Sequence, residues 1–138
     1  VSSATQAGAD GVHASEKDPI DIKRAHRLNL ISGKSVHSVE KAIIAESEGY
    51  DYLIAGTIFS SPSHPGGEIG GIELISEICS RVSLPVIAIG GIKSTDVSNL
   101  FERGAAGIAV ISGIVGQPEP SQATLKFTKQ FQTIGAWS

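Results

Sequence analysis

Two apolar runs, Pro85-Val-Ile-Ala-Ile-Gly-Gly-Ile92 and Gly107-Ile-Ala-Val-Ile-Ser-Gly-Ile114, constrain this chain more than any other feature. Neither alternates apolar with polar residues, so neither suits a sheet with one wet face. Short Val/Ile/Ala runs of this kind fit strands of a parallel sheet buried on both sides. Each run ends in small residues and is followed by a helical pattern. That order puts backbone N–H groups at the ends of neighbouring strands. A (β/α)8 barrel builds its phosphate site in this way, from the loops after its last two strands. A small phosphorylated molecule is the ligand class to expect.

The rest of the chain repeats one unit. A helix end, a glycine, a small or acidic pair and a strand recur at Gly8-Ala-Asp-Gly-Val-His13, Gly49-Tyr-Asp-Tyr-Leu53 and Gly104-Ala-Ala-Gly-Ile108. A glycine just past a helix accepts the left-handed conformation that ends it. Strands are expected at Asp10–Ala14, Leu30–Lys34, Asp51–Ala55, Pro85–Ile89 and Ile108–Ile111. Helices are expected at Ile20–Arg27, with Pro19 in the first turn, and at Val39–Glu48, with Ser38 as the N-cap. Three more should cover Ile72–Val82, Thr95–Arg103 and Ser121–Gln132. Strands alternating with helices mean a parallel sheet with right-handed crossovers.

Five βα units fall short of the eight in a closed barrel. The chain has no methionine, even at position 1, and Val1–Gly8 reads as the tail of a helix. The expected architecture is α/β: one partial TIM-barrel domain over residues 1–138, holding strands four to eight, with three units before Val1. A doubly wound sheet of five strands satisfies the count equally well.

The net charge of −3 disfavours nucleic acid as a partner, since phosphate-backbone binding wants a basic face. No apolar run approaches the ~20 residues that a membrane span requires, and no signal peptide is visible. The single cysteine, Cys79, sits at an apolar phase of a helix and has no partner for an internal disulfide, which fits a reducing, cytoplasmic home.

Four segments could carry chemistry. The turns at Gly90-Gly91 and Ile111-Ser112-Gly113 could hold a phosphate with their N–H groups, or the glycines could simply permit tight turns. The loop Phe59-Ser-Ser-Pro-Ser-His-Pro-Gly-Gly67 offers Ser61, Ser63 and His64 on the side of the sheet where barrel active sites lie, and could close over a polyanion. Its alternative is a solvated Ser/Pro loop. Ser35 follows a strand and would face the mouth; Ser38 is most simply a cap, and His37 a packed or surface residue. Ser15-Glu-Lys-Asp18 places carboxylates at the mouth, where one or two suffice for Mg²⁺ beside substrate phosphates; a charged surface turn would look the same. His13 alternates so as to point into the barrel, and His26 should lie at the surface.

Taken together, these segments resemble the thiamine phosphate synthase and thiazole tautomerase family, from Gly8 to about Ile114. The motifs that carry the resemblance are Gly8-Ala-Asp-Gly-Val-His13, Gly33-Lys-Ser-Val-His-Ser38, Ala55-Gly-Thr-Ile-Phe59 with its Ser/Pro loop, Pro85–Ile92 and Gly107–Ile114. The resemblance implies an eight-unit barrel, thiamine biosynthesis and small phosphorylated substrates. In the synthase, hydroxymethylpyrimidine diphosphate is joined to thiazole phosphate with loss of pyrophosphate and with Mg²⁺ on the diphosphate. By position it makes Asp18 a metal carboxylate and Ser35 a hydroxyl near the pyrophosphate. Ser61 and Ser63 become pyrophosphate-loop hydroxyls, and Gly90, Gly91, Ile111 and Ser112 the thiazole-phosphate site. His64 stands where the synthase has lysine, and Thr57 where the tautomerase has its catalytic histidine. The alternatives to a synthase are a tautomerase and a non-catalytic thiazole-phosphate binder. Two open sheet edges, and the family's tendency to dimerise, imply a homo-oligomer.

Overall fold

The computed structural model describes residues 1–60 and 69–135. A short helix α1 (Ser2–Gln6) leads into five strands: β1 (Gly11–Ala14), β2 (Ile31–Val36), β3 (Tyr52–Ala55), β4 (Val86–Ile89) and β5 (Gly107–Ala109). Between and after them lie α2 (Ile22–Arg27), α3 (Val39–Glu48), α4 (Glu73–Cys79), α5 (Val97–Glu102) and α6 (Pro120–Thr133). Every strand pairs in parallel with the next one in the chain, in the order β1-β2-β3-β4-β5. A doubly wound sheet reverses its strand order partway across. This sheet never does, so the partial barrel is the fold.

Burial agrees with that choice. In register, Ala14, Lys34, Leu53 and Val86 form one row, and Val36, Ala55 and Ala88 another. All of these side chains are buried, and the apolar ones share a single core with Ala42 and Ala45 of α3, Leu74, Ile75 and Ile78 of α4, and Val97 and Leu100 of α5. The other face carries His13, Gly33 and Tyr52 in one row and Ser35, Ile54, Ile87 and Gly107 in the next. There the isoleucines of β3 and β4 are only half-buried, and Ile31 of β2 is 57% exposed. The helices thus cover one side, and the would-be barrel interior stays open.

Local signals explain most helix ends. Ser38 caps α3 by accepting a hydrogen bond from the Lys41 N–H, and Gly49 ends it at φ 93°. Gly8 and Gly104 adopt the same left-handed conformation, at φ 67° and 97°. Three expectations need correction. Pro19 lies outside α2, whose cap is Asp21, accepting from the Arg24 N–H at 2.9 Å. Strand β2 continues to Val36 because its pairing with β3 does, so Ser35 lies within the strand rather than after it. Strand β5 stops at Ala109, which leaves Ile111 in the following turn.

The N-terminal edge of the sheet is tied by one carboxylate. Oδ2 of Asp51 accepts hydrogen bonds from the Ser32 N–H (2.7 Å), the Ser32 hydroxyl (2.8 Å) and His26 Nε2 (3.1 Å). His26 is at the surface, as expected, but is held there. Burial pushes the Asp51 carboxyl upward, yet the bonds from Ser32 and His26 outweigh it and hold the group below its ordinary 3.8. A carboxylate with a depressed folded-state pKa stabilises the fold above its unfolded value and loses that contribution as pH falls through the folded value. Asp51→Ala should therefore cost about 1–2 kcal/mol at neutral pH, from charged hydrogen bonds at a partly exposed site. The gap between wild-type and variant melting temperatures should shrink below pH 3.8; a gap independent of pH would contradict this.

Among the described residues, β1 and β5 each pair on one side only. Unpaired edges beside an uncovered apolar face favour association. The purified chain is expected to self-associate in light scattering, and a clean monomer at tens of micromolar would contradict that expectation.

Candidate functional site

The C-terminal ends of the strands enclose a cleft of about 490 Å³ on the open face. Ser35 and His13 line it from β2 and β1, and Ile89, Gly90 and Gly91 from the end of β4. Ile111, Ser112 and Gly113 line it from the turn after β5, and Gly56 and Thr57 from the segment after β3. The structure therefore gathers Ser35, Gly90, Gly91, Ile111, Ser112 and Gly113, six of the residues singled out in the sequence, around one hollow. Asp18 does not line it. Its Oδ2 accepts from the Ser15 hydroxyl at 2.9 Å while its own N–H donates to Ser15 Oγ at 3.0 Å, closing an exposed turn beside the cleft. Ser61, Ser63 and His64 lie outside the described residues.

Backbone packing dictates the two glycines after β4. The segment leaving β3 runs against them, with the Ile58 N–H donating to the Ile89 carbonyl and the Phe59 N–H to the Gly90 carbonyl, both at 3.0 Å. On its other side, Gly70 and Gly71 donate to the carbonyls of Thr57 and Ile58 at 2.8 and 3.1 Å. Gly90 and Gly91 have φ of 106° and 62°, where a side chain is strained. A Cβ on Gly91 would stand 2.5 Å from the Ser60 carbonyl oxygen and 2.7 Å from that of Phe59. A larger residue at Gly91 would thus first displace the loop, before crowding any anion. After β5, the Ile114 and Val115 N–H groups donate to the Ile111 carbonyl at 3.1 and 2.9 Å, coiling the chain into a helical turn. Gln117 Nε2 fixes that turn by donating to the Ser112 carbonyl at 3.1 Å.

Two polar clusters, one on His13 and one at the mouth, escaped the sequence analysis. His13 Nδ1 lies 3.1 Å from the Tyr52 hydroxyl, and His13 Nε2 lies 2.9 Å from Ser35 Oγ. Tyr52 reaches His13 by crossing the intervening strand over Gly33, where any Cβ would run into the phenol ring. Partial burial of the His13 ring lowers its pKa, favouring neutral imidazole. At the mouth, His37 Nδ1 lies 2.6 Å from Glu16 Oε2, and Glu16 is held below its ordinary value chiefly by that hydrogen bond. Strand register could have revealed the first cluster, because His13, Gly33 and Tyr52 share one row. The second depends on how two turns lie in space.

Chemically, the cleft offers donors and few fixed charges: turn N–H groups, the Ser35 hydroxyl, imidazole and the paired Glu16 carboxylate. Such a set suits a phosphorylated ligand at strand ends. Gly91→Ala, which adds a Cβ at a left-handed position against two carbonyls, should lower stability by about 2 kcal/mol. Denaturant unfolding measures it, and a loss under about 0.5 kcal/mol would mean that the loop yields freely.

Comparison with known proteins places the chain. The thiamine phosphate synthase of Pyrococcus abyssi is 39% identical over 132 residues, which are 95% of this chain and 64% of that protein. The solved thiamine phosphate pyrophosphorylase of Pyrococcus furiosus superposes with a TM-score of 0.82 at 36% identity, over 95% of this chain and 63% of its own. A 3-hexulose-6-phosphate synthase shares the fold alone, with a TM-score of 0.72 at 19% identity over 92% of this chain and 64% of that one. The chain thus spans less than two thirds of the length of these relatives. The model of the thiamine monophosphate synthase family matches residues 1–114, and the chain belongs to that family.

Proposed function

We propose that this chain forms the phosphate-binding side of a thiamine phosphate synthase, which joins hydroxymethylpyrimidine diphosphate to thiazole phosphate and releases pyrophosphate in the cytoplasm. The observation that carries the reading is the meeting, in one cleft, of both glycine turns and Ser35 in a chain of this family. Gly90, Gly91, Ile111, Ser112 and Gly113 would hold the thiazole phosphate through backbone donors and the Ser112 hydroxyl. Ser35 would donate to the pyrophosphate. By the family resemblance, Ser61, Ser63 and His64 would also bind the pyrophosphate.

The departing pyrophosphate gathers negative charge as the pyrimidine ionises, so preorganised donors around it lower the barrier. Mg²⁺, when bound, would neutralise part of that charge. Among the described residues, no group of three or more His, Cys, Asp or Glu could form a metal cage. Mg²⁺ needs none, because it keeps waters and takes one or two carboxylates beside substrate phosphates. Asp18, exposed on its turn beside the cleft, fits that role. Thr57 lines the cleft in the tautomerase histidine's place, and a neutral hydroxyl is a far weaker base than imidazole. The synthase is therefore the better reading.

Crystals soaked in thiazole phosphate should show its phosphate on the Gly91 and Ser112 N–H groups. An empty cleft with both turns ordered would overturn the assignment. The chain alone, with its open barrel face, is expected to convert the two substrates to thiamine phosphate barely or not at all, and robust turnover would contradict that expectation.

A further inference from the structure

We propose that His13 is a positioning residue whose tautomer, held by Tyr52, turns the Ser35 hydroxyl toward an anion in the cleft. The inference rests on the reading of the cleft as a phosphate or diphosphate site, and adds to it the device that orients one of its donors.

The argument starts from the inventory of hydrogens. A neutral imidazole donates from one nitrogen and accepts at the other. Partial burial lowers the His13 pKa and so favours that neutral form. Its two nitrogens each face one hydroxyl, that of Tyr52 at 3.1 Å from Nδ1 and that of Ser35 at 2.9 Å from Nε2. Only two arrangements satisfy both contacts. In one, Nδ1–H donates to the tyrosine oxygen and Nε2 accepts the Ser35 hydrogen, which then points away from the cleft. In the other, the tyrosine O–H donates to Nδ1 and Nε2–H donates to Ser35 Oγ. The Ser35 hydrogen is then left to point at whatever occupies the cleft, which Ser35 lines. An anion only accepts hydrogen bonds, so it selects the second arrangement.

The sheet is built for this chain of donors. His13, Gly33 and Tyr52 are in register across three strands, and Ser35 is two residues beyond Gly33 on the same face. The middle position must be glycine, because the tyrosine ring occupies the space of a side chain there. The His13 and Tyr52 rings lie 5.6 Å apart at 33°, a tilted contact that holds the imidazole plane.

The full chain carrying ¹⁵N-labelled histidine is titrated with inorganic pyrophosphate, and the ring nitrogen shifts of His13 are read. The bound state should show the Nε2–H tautomer. Predominance of Nδ1–H would overturn the inference without need of any variant. Affinities then separate the inference from the reading beneath it. Ser35→Ala should weaken pyrophosphate binding about tenfold, the size of one hydrogen bond to a charged group. His13→Leu should weaken it about as much. His13→Gln, whose amide N–H replaces Nε2–H, should stay within about threefold of wild type. A Ser35→Ala variant that binds as well as wild type, or a wild type that does not bind, overturns the phosphate reading and the inference with it. A weakened Ser35→Ala beside an unaffected His13→Leu overturns the inference alone.

Discussion

The contact on which the site depends is the close approach of the backbone leaving β3 to the end of β4. Two N–H groups, of Ile58 and Phe59, continue the sheet's hydrogen bonding past the last regular residues, onto the carbonyls of Ile89 and Gly90. That approach is possible only because positions 90 and 91 carry no side chain and accept positive φ. It sets the wall of the cleft on one side and starts the Ser/Pro loop from a fixed point. Without it, the turns after β4 and β5 would still exist, but nothing would hold the loop's base beside them.

A second use of glycine organises the opposite wall. Gly33 leaves a gap in the middle of a register row, and Tyr52 fills it from the neighbouring strand to reach His13. The same residue type thus does two jobs: near Gly91 it admits backbone, and at Gly33 it admits a ring. Between these walls lie the half-buried isoleucines of β3 and β4. The cleft is therefore lined by apolar side chains as well as hydrogen-bond donors, the mixture common to small-molecule sites.

What was legible in the sequence was mostly local. Glycines 8, 49 and 104 marked helix ends because left-handed φ is a one-residue property, and Ser38 marked a helix start because its oxygen needs only the Lys41 N–H. Asn29 ends α2 in the same left-handed conformation, at φ 56°, but asparagine signals it less strongly than glycine. The strand ends were misjudged where pairing decided them: β2 runs to Val36 because Ala55 is there to pair with it. The choice between barrel and doubly wound sheet was open on strand count, and strand order closed it. Gly90 and Gly91 stood out in the sequence, yet their duty in the fold, admitting the segment that leaves β3, was not visible without it.

The most direct test of phosphate recognition at these strand ends is calorimetric titration with thiazole phosphate and, separately, with the same thiazole alcohol lacking its phosphate. Binding of the phosphate ester at least tenfold tighter than the alcohol is expected, since charge-assisted donors should dominate the affinity. Equal affinity for the two, or heat from neither, would contradict the assignment of the β4 and β5 turns as the phosphate site.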